Sequence, residues 1–330
     1  MPNRDILVIG ASAGGVQALS QVVGGLPADF QGAVFIVQHI APHGSSAMPA
    51  ILTRAGRLEA VHPKDGQRIE GGRIYVAPPD QHIVIEDGRV RLSRGPSENG
   101  HRPAVDVLFR TASHNHGSRV VGVVLTGNLD DGTAGLAAIK SRGGIAIVQD
   151  PAEADYAGMP RSALENVEVD HVLPLGEIGP LLARLSLEPA PEPTGPDEEA
   201  PDMKGKIETG GDREAGGEPS GFTCPACGGA LWESHENELV HFRCRTGHAF
   251  APESLLAEQF DNLEATLWAA VRALEENASL ARRMERWMRT RGNAPGEQRY
   301  DRRAREAEKH AEILRQVLTG DQMSTAEEPS

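Results

Sequence analysis

Cysteine is scarce in this chain: three in 330 residues, Cys224, Cys227 and Cys244, gathered in one short segment. An odd number cannot close a complete internal disulfide framework, and the clustering favours a metal site in a reducing compartment. Positive charge is outnumbered, with 33 Lys and Arg against 47 Asp and Glu for a formal net charge of −14. That balance argues against a nucleic-acid partner, because phosphate binding needs a basic face, and equally against an anionic membrane surface. No apolar run approaches the ~20 residues that span a bilayer, so no membrane insertion is expected. The opening MPNRDILVIGASAGG lacks the long apolar region and small-residue cleavage site of a signal peptide. The chain therefore reads as cytoplasmic. There is no internal repeat.

What is present in residues 1–188 is an alternation of short apolar runs and helix-like segments. ILVIG (6–10), AVFIVQHI (33–40), IYVAP (74–78), VVGVVLTG (120–127) and IAIVQD (145–150) are rich in β-branched residues and nearly continuous in hydrophobicity. Strands covered on both faces of a parallel sheet read this way. Segments 15–26, 104–113 and 131–141 between them have helical spacing. The alternation implies an α/β fold, a doubly wound, mostly parallel sheet with helices on both faces. One interruption, HIVIEDGRVRLSR (82–94), reads as an antiparallel hairpin around Asp87-Gly88.

Residues 189–220 are dense in Pro, Glu, Asp and Gly and read as a disordered acidic linker. Residues 221–250 hold all the cysteines. Residues 251–320 read as a helical hairpin: Leu255, Leu256, Phe260, Leu263, Leu267, Val271 and Leu274 follow a three/four spacing, and Gly292 to Gly296 breaks it. A second helix, about 297–318, is expected to return antiparallel, with its few apolar residues (Ile313, Leu314, Val317, Leu318) near its end. Residues 321–330 read as a disordered tail.

Gly10-Ala11-Ser12-Ala13-Gly14-Gly15 follows the first strand and contains G-x-S-x-G. Small residues around a serine let the chain turn sharply and present the hydroxyl at the strand's C-terminal end. The helix that follows offers backbone N–H groups and a positive dipole end to a developing oxyanion. A phosphate-cradling glycine loop is the competing reading, although the G-x-G-x-x-G spacing and the P-loop lysine are missing. His39 closes the next strand, where ligands of open α/β sheets collect. It suits a base for Ser12, and equally a structural hydrogen bonder. Asp130 and Asp131 follow a third strand. Either could orient the imidazole, or simply cap the next helix, and spacing does not choose between them. The order Ser, His, Asp differs from the Ser, Asp, His of the common α/β-hydrolases.

VIGASAGG, VQHI, IYVAPPDQH, HRPAVDVLF, VVLTGNLDDGTAG, IAIVQDPAEADYAGMP and RSAL together resemble the catalytic domain of CheB-type protein-glutamate methylesterases over about residues 4–187. The resemblance implies Ser12 as nucleophile, His39 as base and Asp131 as the orienting acid, with the backbone N–H near Asn128 in the oxyanion hole. It implies hydrolysis of glutamyl γ-methyl esters on chemoreceptor-type proteins, and deamidation of certain glutamines, without a catalytic cofactor. Two departures bear on substrate fit: Ala13 stands where threonine is usual, and Asn128-Leu129 where Met-Gly is common. The first strand begins at residue 5, so a stand-alone form without the family's N-terminal receiver domain is expected. The rival reading is a catalytically retired fold serving as a regulatory or scaffold module of a chemosensory pathway.

The cysteines form Cys224-x2-Cys227-x16-Cys244-x3-His248. Three thiolates and an imidazole complete a tetrahedral shell with no open position, so a structural Zn²⁺ in a small ribbon is expected. A redox thiol pair is the alternative, and His241 a substitute ligand. Similar ribbons with helical tails occur on some stand-alone relatives of the methylesterase. The hairpin beyond carries no catalytic constellation and is a candidate docking or self-association element.

Overall fold

The structure, a computed structural model, describes residues 2–43, 46–191, 217–236 and 238–320. It divides into two units, Met1–Leu255 and Leu256–Ser330. The expected tail 321–330, and residues 192–216 of the expected linker, lie outside the described residues.

The first unit is built on strands β1 (Ile6–Ala11), β2 (Ala33–Gln38), β3 (Glu59–Val61), β4 (Gln67–Arg68), β5 (Arg73–Val76), β6 (His82–Glu86), β7 (Arg89–Ser93), β8 (Val120–Val124), β9 (Ile145–Gln149) and β10 (His171–Leu173). Seven of them form one sheet in the order β10-β9-β8-β1-β2-β5-β3, with every pair parallel. The helices are α1 (Gly15–Gly24), α2 (Met48–Ala55), α3 (Val105–His116), α4 (Thr133–Ser141), α5 (Gly158–Asn166) and α6 (Leu175–Leu185). Strand alternation divides the core between the two faces. Leu7 and Ile9 of β1 pack with α1, α2 and α6, and Ile6 and Val8 pack with α3, α4 and α5. All five expected long strands and the doubly wound architecture are present.

The chain runs outward from β1 through β2 on one side and from β8 through β9 on the other. The C-terminal ends of β8, β1 and β2 therefore sit side by side at a topological switch point, where open α/β sheets place their ligands. The expected hairpin is β6–β7, with Asp87 and Gly88 both at positive φ, and β4 joins its edge. Elements α2, β3, β4, β10 and α6 were not foreseen. Met159 and Pro160 lie in the first turn of α5, where proline's missing N–H costs nothing.

Strands β11 (Glu218–Thr223), β12 (Ala230–Glu236), β13 (Leu239–Cys244) and β14 (Ala249–Phe250) form a second, antiparallel sheet. Its small core joins Leu231, Phe242 and Phe250 to Cys224 and Cys244. The stretch expected as linker is ordered at both ends. Glu218 to Ser220 belong to β11, and the Ala190 N–H donates to the Pro2 carbonyl at 2.9 Å.

The second unit consists of most of α7 (Pro252–Thr290) and all of α8 (Ala294–Gly320). The two run antiparallel: Arg289 bonds Glu297, Arg282 bonds Asp301 and Glu308, and Arg315 bonds Glu275. Helix α8 starts earlier than expected, with Pro295 and Gly296 inside its first turn. The seam also differs from the expected stripe. Val271, Ala278, Ala281, Ala304, Ala307 and Ala311 are buried, whereas Leu256, Leu263, Ile313 and Val317 are exposed. Small side chains let two helices approach closely, so alanines form this seam.

Candidate active site

The serine turn is shaped by its glycines and by the next strand. Gly10 lies so close to α3 that an added Cβ would meet Val105 Cγ1 at 2.3 Å, and Gly14 takes φ +73° at the mouth of α1. Ser12 N–H donates to the Thr126 carbonyl at 3.0 Å, and Gln38 Nε2 donates to the Ser12 carbonyl at 2.7 Å. The serine thus stands directly after β1 with its backbone tied to the ends of β8 and β2.

His39 follows β2, its imidazole almost wholly buried. Nδ1 lies 3.1 Å from Ser12 Oγ, and Nε2 lies 2.7 Å from Asp131 Oδ2. Neutral imidazole with its proton on Nε2 donates to the carboxylate and leaves Nδ1 to accept from the hydroxyl. The ring nitrogens thus take roles opposite to the common triad, where Nε2 faces the serine.

Asp131 closes the chain. Its Oδ2 also accepts the Val105 N–H at 2.7 Å, and Oδ1 accepts the Asp106 N–H at 3.2 Å and Asn99 Nδ2 at 3.0 Å. Burial pushes this carboxyl up. The His39 hydrogen bond, the charges of His39 and His101, and the Val105 N–H overcome it and hold the group well below the usual carboxylate range. Asp130, the candidate that spacing left equal, faces elsewhere and accepts from Ser254 Oγ. Burial raises its carboxyl to about 6. Asn128, named for its backbone N–H, follows Gly127, where an added Cβ would come within 2.8 Å of Ser12 Cβ.

Three further residues belong to the site. His101 stacks on His39 with ring centroids 3.6 Å apart. Asp106 accepts Asn99 Nδ2 and the N–H groups of Gly132 and Gly135. Burial and the charges of Asp131 and Glu98 raise its carboxyl well above the usual range. Asn99 sits between Asp106 and Asp131. The sequence offered one signal for it, an Asn-Gly pair that marks a turn.

At the cysteine cluster, Cys227 Sγ lies 3.7 Å from Cys244 Sγ, and His248 Nδ1 lies 3.5 Å from Cys244 Sγ and 3.8 Å from Cys224 Sγ. All four ligand atoms fall within 4.8 Å of one another. Zn–S bonds of ~2.3 Å at tetrahedral angles put sulfurs about 3.8 Å apart, so the spacing fits a four-coordinate ion. His241 is not in the cluster. It is buried on β13, and its Nε2 has no hydrogen-bond partner among the described residues.

A parallel α/β sheet with a serine, a histidine and a buried carboxylate hydrogen-bonded in series at its switch point has the architecture of a serine hydrolase. Residues 7–182 match the CheB methylesterase family. A Leptospira interrogans relative, provisionally named a protein-glutamate methylesterase/protein-glutamine glutaminase, is 42% identical over 184 residues, which are 56% of this chain and 95% of the relative. A Pseudomonas aeruginosa protein-glutamate methylesterase/protein-glutamine glutaminase 2 is 41% identical over 55% of this chain, and the match spans 53% of that protein. The crystal structure of the Thermotoga maritima CheB methylesterase catalytic domain superimposes with a TM-score of 0.53 at 32% identity, covering 56% of this chain and 99% of that one. The chain belongs to the CheB methylesterase family, a family of carboxylic ester hydrolases. No described helix is long and apolar enough to cross a membrane.

Proposed function

We propose that the chain is a protein-glutamate methylesterase, hydrolysing glutamyl γ-methyl esters on a chemoreceptor-type signalling protein and deamidating glutamine as a side activity. The observation that carries this reading is the unbroken run from Ser12 Oγ through His39 to the Asp131 carboxylate. Ser12 Oγ attacks the ester carbonyl while His39 Nδ1 takes its proton. Asp131, kept ionised, holds the Nε2–H tautomer and stabilises the imidazolium. The Asn128 N–H, next in the chain after Gly127, donates to the oxyanion. The tetrahedral intermediate expels methoxide, which leaves as methanol with the proton from His39. Water, deprotonated by the same imidazole, then frees Ser12 and the glutamate carboxylate. With glutamine the leaving group is ammonia.

The Cys224, Cys227, Cys244 and His248 set would hold a structural Zn²⁺. It shapes the ribbon and takes no part in the reaction. The exposed Leu256, Leu263, Ile313 and Val317 support docking or self-association by the hairpin. A substrate of this kind places the enzyme in the cytoplasm. The deciding experiment pairs a fluorophosphonate probe with methanol release from radiomethylated receptor. Wild type labels and releases methanol, and Ser12→Ala does neither. Equal labelling of the two proteins removes Ser12 as nucleophile, and labelling without methanol release points to another ester.

A further inference from the structure

Residues Glu98, Asn99, Gly100 and His101 form a tight turn, closed by Glu98 N–H to the His101 carbonyl (3.1 Å) and His101 N–H to the Glu98 carbonyl (2.9 Å). Asn99 and Gly100 both take positive φ, 52° and 75°, the conformation for which an Asn-Gly pair is preferred. This one turn reaches both the imidazole and the carboxylate of the site. His101 stacks on His39. Asn99 spends its two amide hydrogens on Asp106 Oδ2 (2.9 Å) and Asp131 Oδ1 (3.0 Å), bridging two carboxyl groups whose other donors are backbone N–H groups and His39.

The other side of the turn is occupied by the ribbon. The Asn99 N–H donates to the Ala249 carbonyl at 2.8 Å, and Glu98 forms a parallel bridge to Ala249, the residue directly after His248. The Ala251 N–H donates to Asn99 Oδ1 at 2.8 Å, completing the bonding of that buried amide. Three residues later Ser254 Oγ donates to Asp130, the neighbour of Asp131. At Gly247 (φ +100°) an added Cβ would meet Pro96 Cγ at 3.0 Å, so the cysteine knuckle itself lies against this segment. Beneath the turn, Arg110 forms a two-pronged ion pair with Glu98, both contacts 2.6 Å.

We propose that Asn99 is a positioning residue for the Asp131 carboxylate, and that the ribbon's exit segment, Ala249 to Ser254, holds it there, so that metal in the Cys3His cluster and turnover at Ser12 are linked. This rests on Ser12, His39 and Asp131 acting as nucleophile, base and acid. The link runs through backbone. A metal fixes His248 and Cys244, which fixes Ala249 and Ala251, and these present a carbonyl and an N–H to the Asn99 turn. Loss of the metal frees that strand, and the amide loses two of its anchors. Asp131 then faces Asp106 without the bridging amide, and its proton affinity rises. The titratable groups whose charges act on it are His39, His82, His101, Asp106, Glu98 and Asp130, the last of these turned away toward Ser254. The rate should fall, and the acid limb of its pH profile, which reports protonation of the base–acid pair, should move upward.

The test uses the full chain and a fluorophosphonate probe, measuring the limiting labelling rate and half-saturating concentration from pH 5 to 9. Asn99→Gly keeps the positive φ without strain and removes the amide. Asn99→Asp keeps the shape but turns a donor toward the carboxylates into an acceptor. The limiting rate is expected to fall tenfold or more in Asn99→Gly and further in Asn99→Asp. The half-saturating probe concentration should stay within twofold, and the acid limb should rise by half a unit or more. Chelation should lower the rate in the same way, with restoration by Zn²⁺ alone. A second readout is amide hydrogen exchange, which should quicken at residues 97–101 when the metal is removed. Should Asn99 variants fail to fold, Ser254→Ala and the chelated wild type carry the same test. Unchanged rate and acid limb in Asn99→Gly, or exchange at 97–101 indifferent to metal, overturns the proposal. Ser12→Ala labelling as fast as wild type overturns the underlying assignment instead, so the two failures are distinct.

Discussion

His101 lies flat on His39, the ring planes 23° apart and the centroids 3.6 Å apart. Burial, and then the charge of His39, push the His101 imidazole down to about 4, against the pull of Asp131. A neutral ring thus covers His39 and excludes water from one of its faces without competing for its proton.

This pair has a consequence for stability. An unfolded histidine titrates near 6.5, so between about 6.5 and 4 the unfolded chain binds more protons than the folded one. Falling pH therefore favours unfolding, by up to roughly 3 kcal/mol from this group at 1.36 kcal/mol per pKa unit. His101→Gln removes the titration. Urea unfolding should show the stability advantage of wild type over His101→Gln shrinking by about that amount from pH 7 to pH 4. An advantage constant across the range contradicts the argument.

Asp131→Asn preserves volume but cannot accept four hydrogen bonds as a carboxylate does. One face of the amide must turn N–H groups toward donors, or the imidazole must adopt the wrong tautomer. The turnover number should fall about 10⁴-fold, as removal of the acid does in triads of this kind, and the donors left unpaired in the interior should cost about 1–3 kcal/mol of stability. A loss below tenfold in steady-state kinetics would mean that another group orients His39.

Gly10→Ala places a methyl 2.3 Å from Val105 Cγ1. Overpacking of this sort costs about 1–3 kcal/mol. Because Val105 also gives its N–H to Asp131, labelling of Ser12 should slow as well. Val105→Ala in the same chain opens the space, and a double-mutant cycle by urea unfolding should recover most of the loss.

The Arg110–Glu98 pair is buried and two-pronged. Arg110→Met strands the Glu98 carboxylate, at a cost of about 3–5 kcal/mol. Adding Glu98→Gln removes the stranded charge and should regain part of that stability in thermal melts. No recovery would show that the arginine stem, rather than the charge pair, supports the site.

The long strands were readable because burial on both faces demands continuous apolar runs, which β1, β2 and β8 supply. Edge strands β3 and β10, with half-exposed residues and three positions each, carry no such pattern. Ser12 and His39 could be ranked because each ends a legible strand. Asp130 and Asp131 could not be separated by spacing, and it is the hydrogen bonds to Val105, Asp106 and Asn99 that distinguish them. The grouping of Cys224, Cys227, Cys244 and His248 was legible because its geometry is local. Asn99 was invisible as anything but a turn residue, since its target lies 32 residues on and its anchor 152. The hairpin seam was misjudged because periodicity gives weight to Leu and Phe, whereas close helix approach selects alanine.

The parallel sheet also sets when activity can appear during folding. Strand β1 pairs Ile6 with Ala33 on one side and with Val120 on the other. Pairings so distant along the chain form slowly, because a large loop must close before any contact rewards it. The candidate site of Ser12, His39 and Asp131 straddles these pairings, so recovery of serine labelling after dilution from denaturant should trail the return of helical circular dichroism and report the last step of assembly.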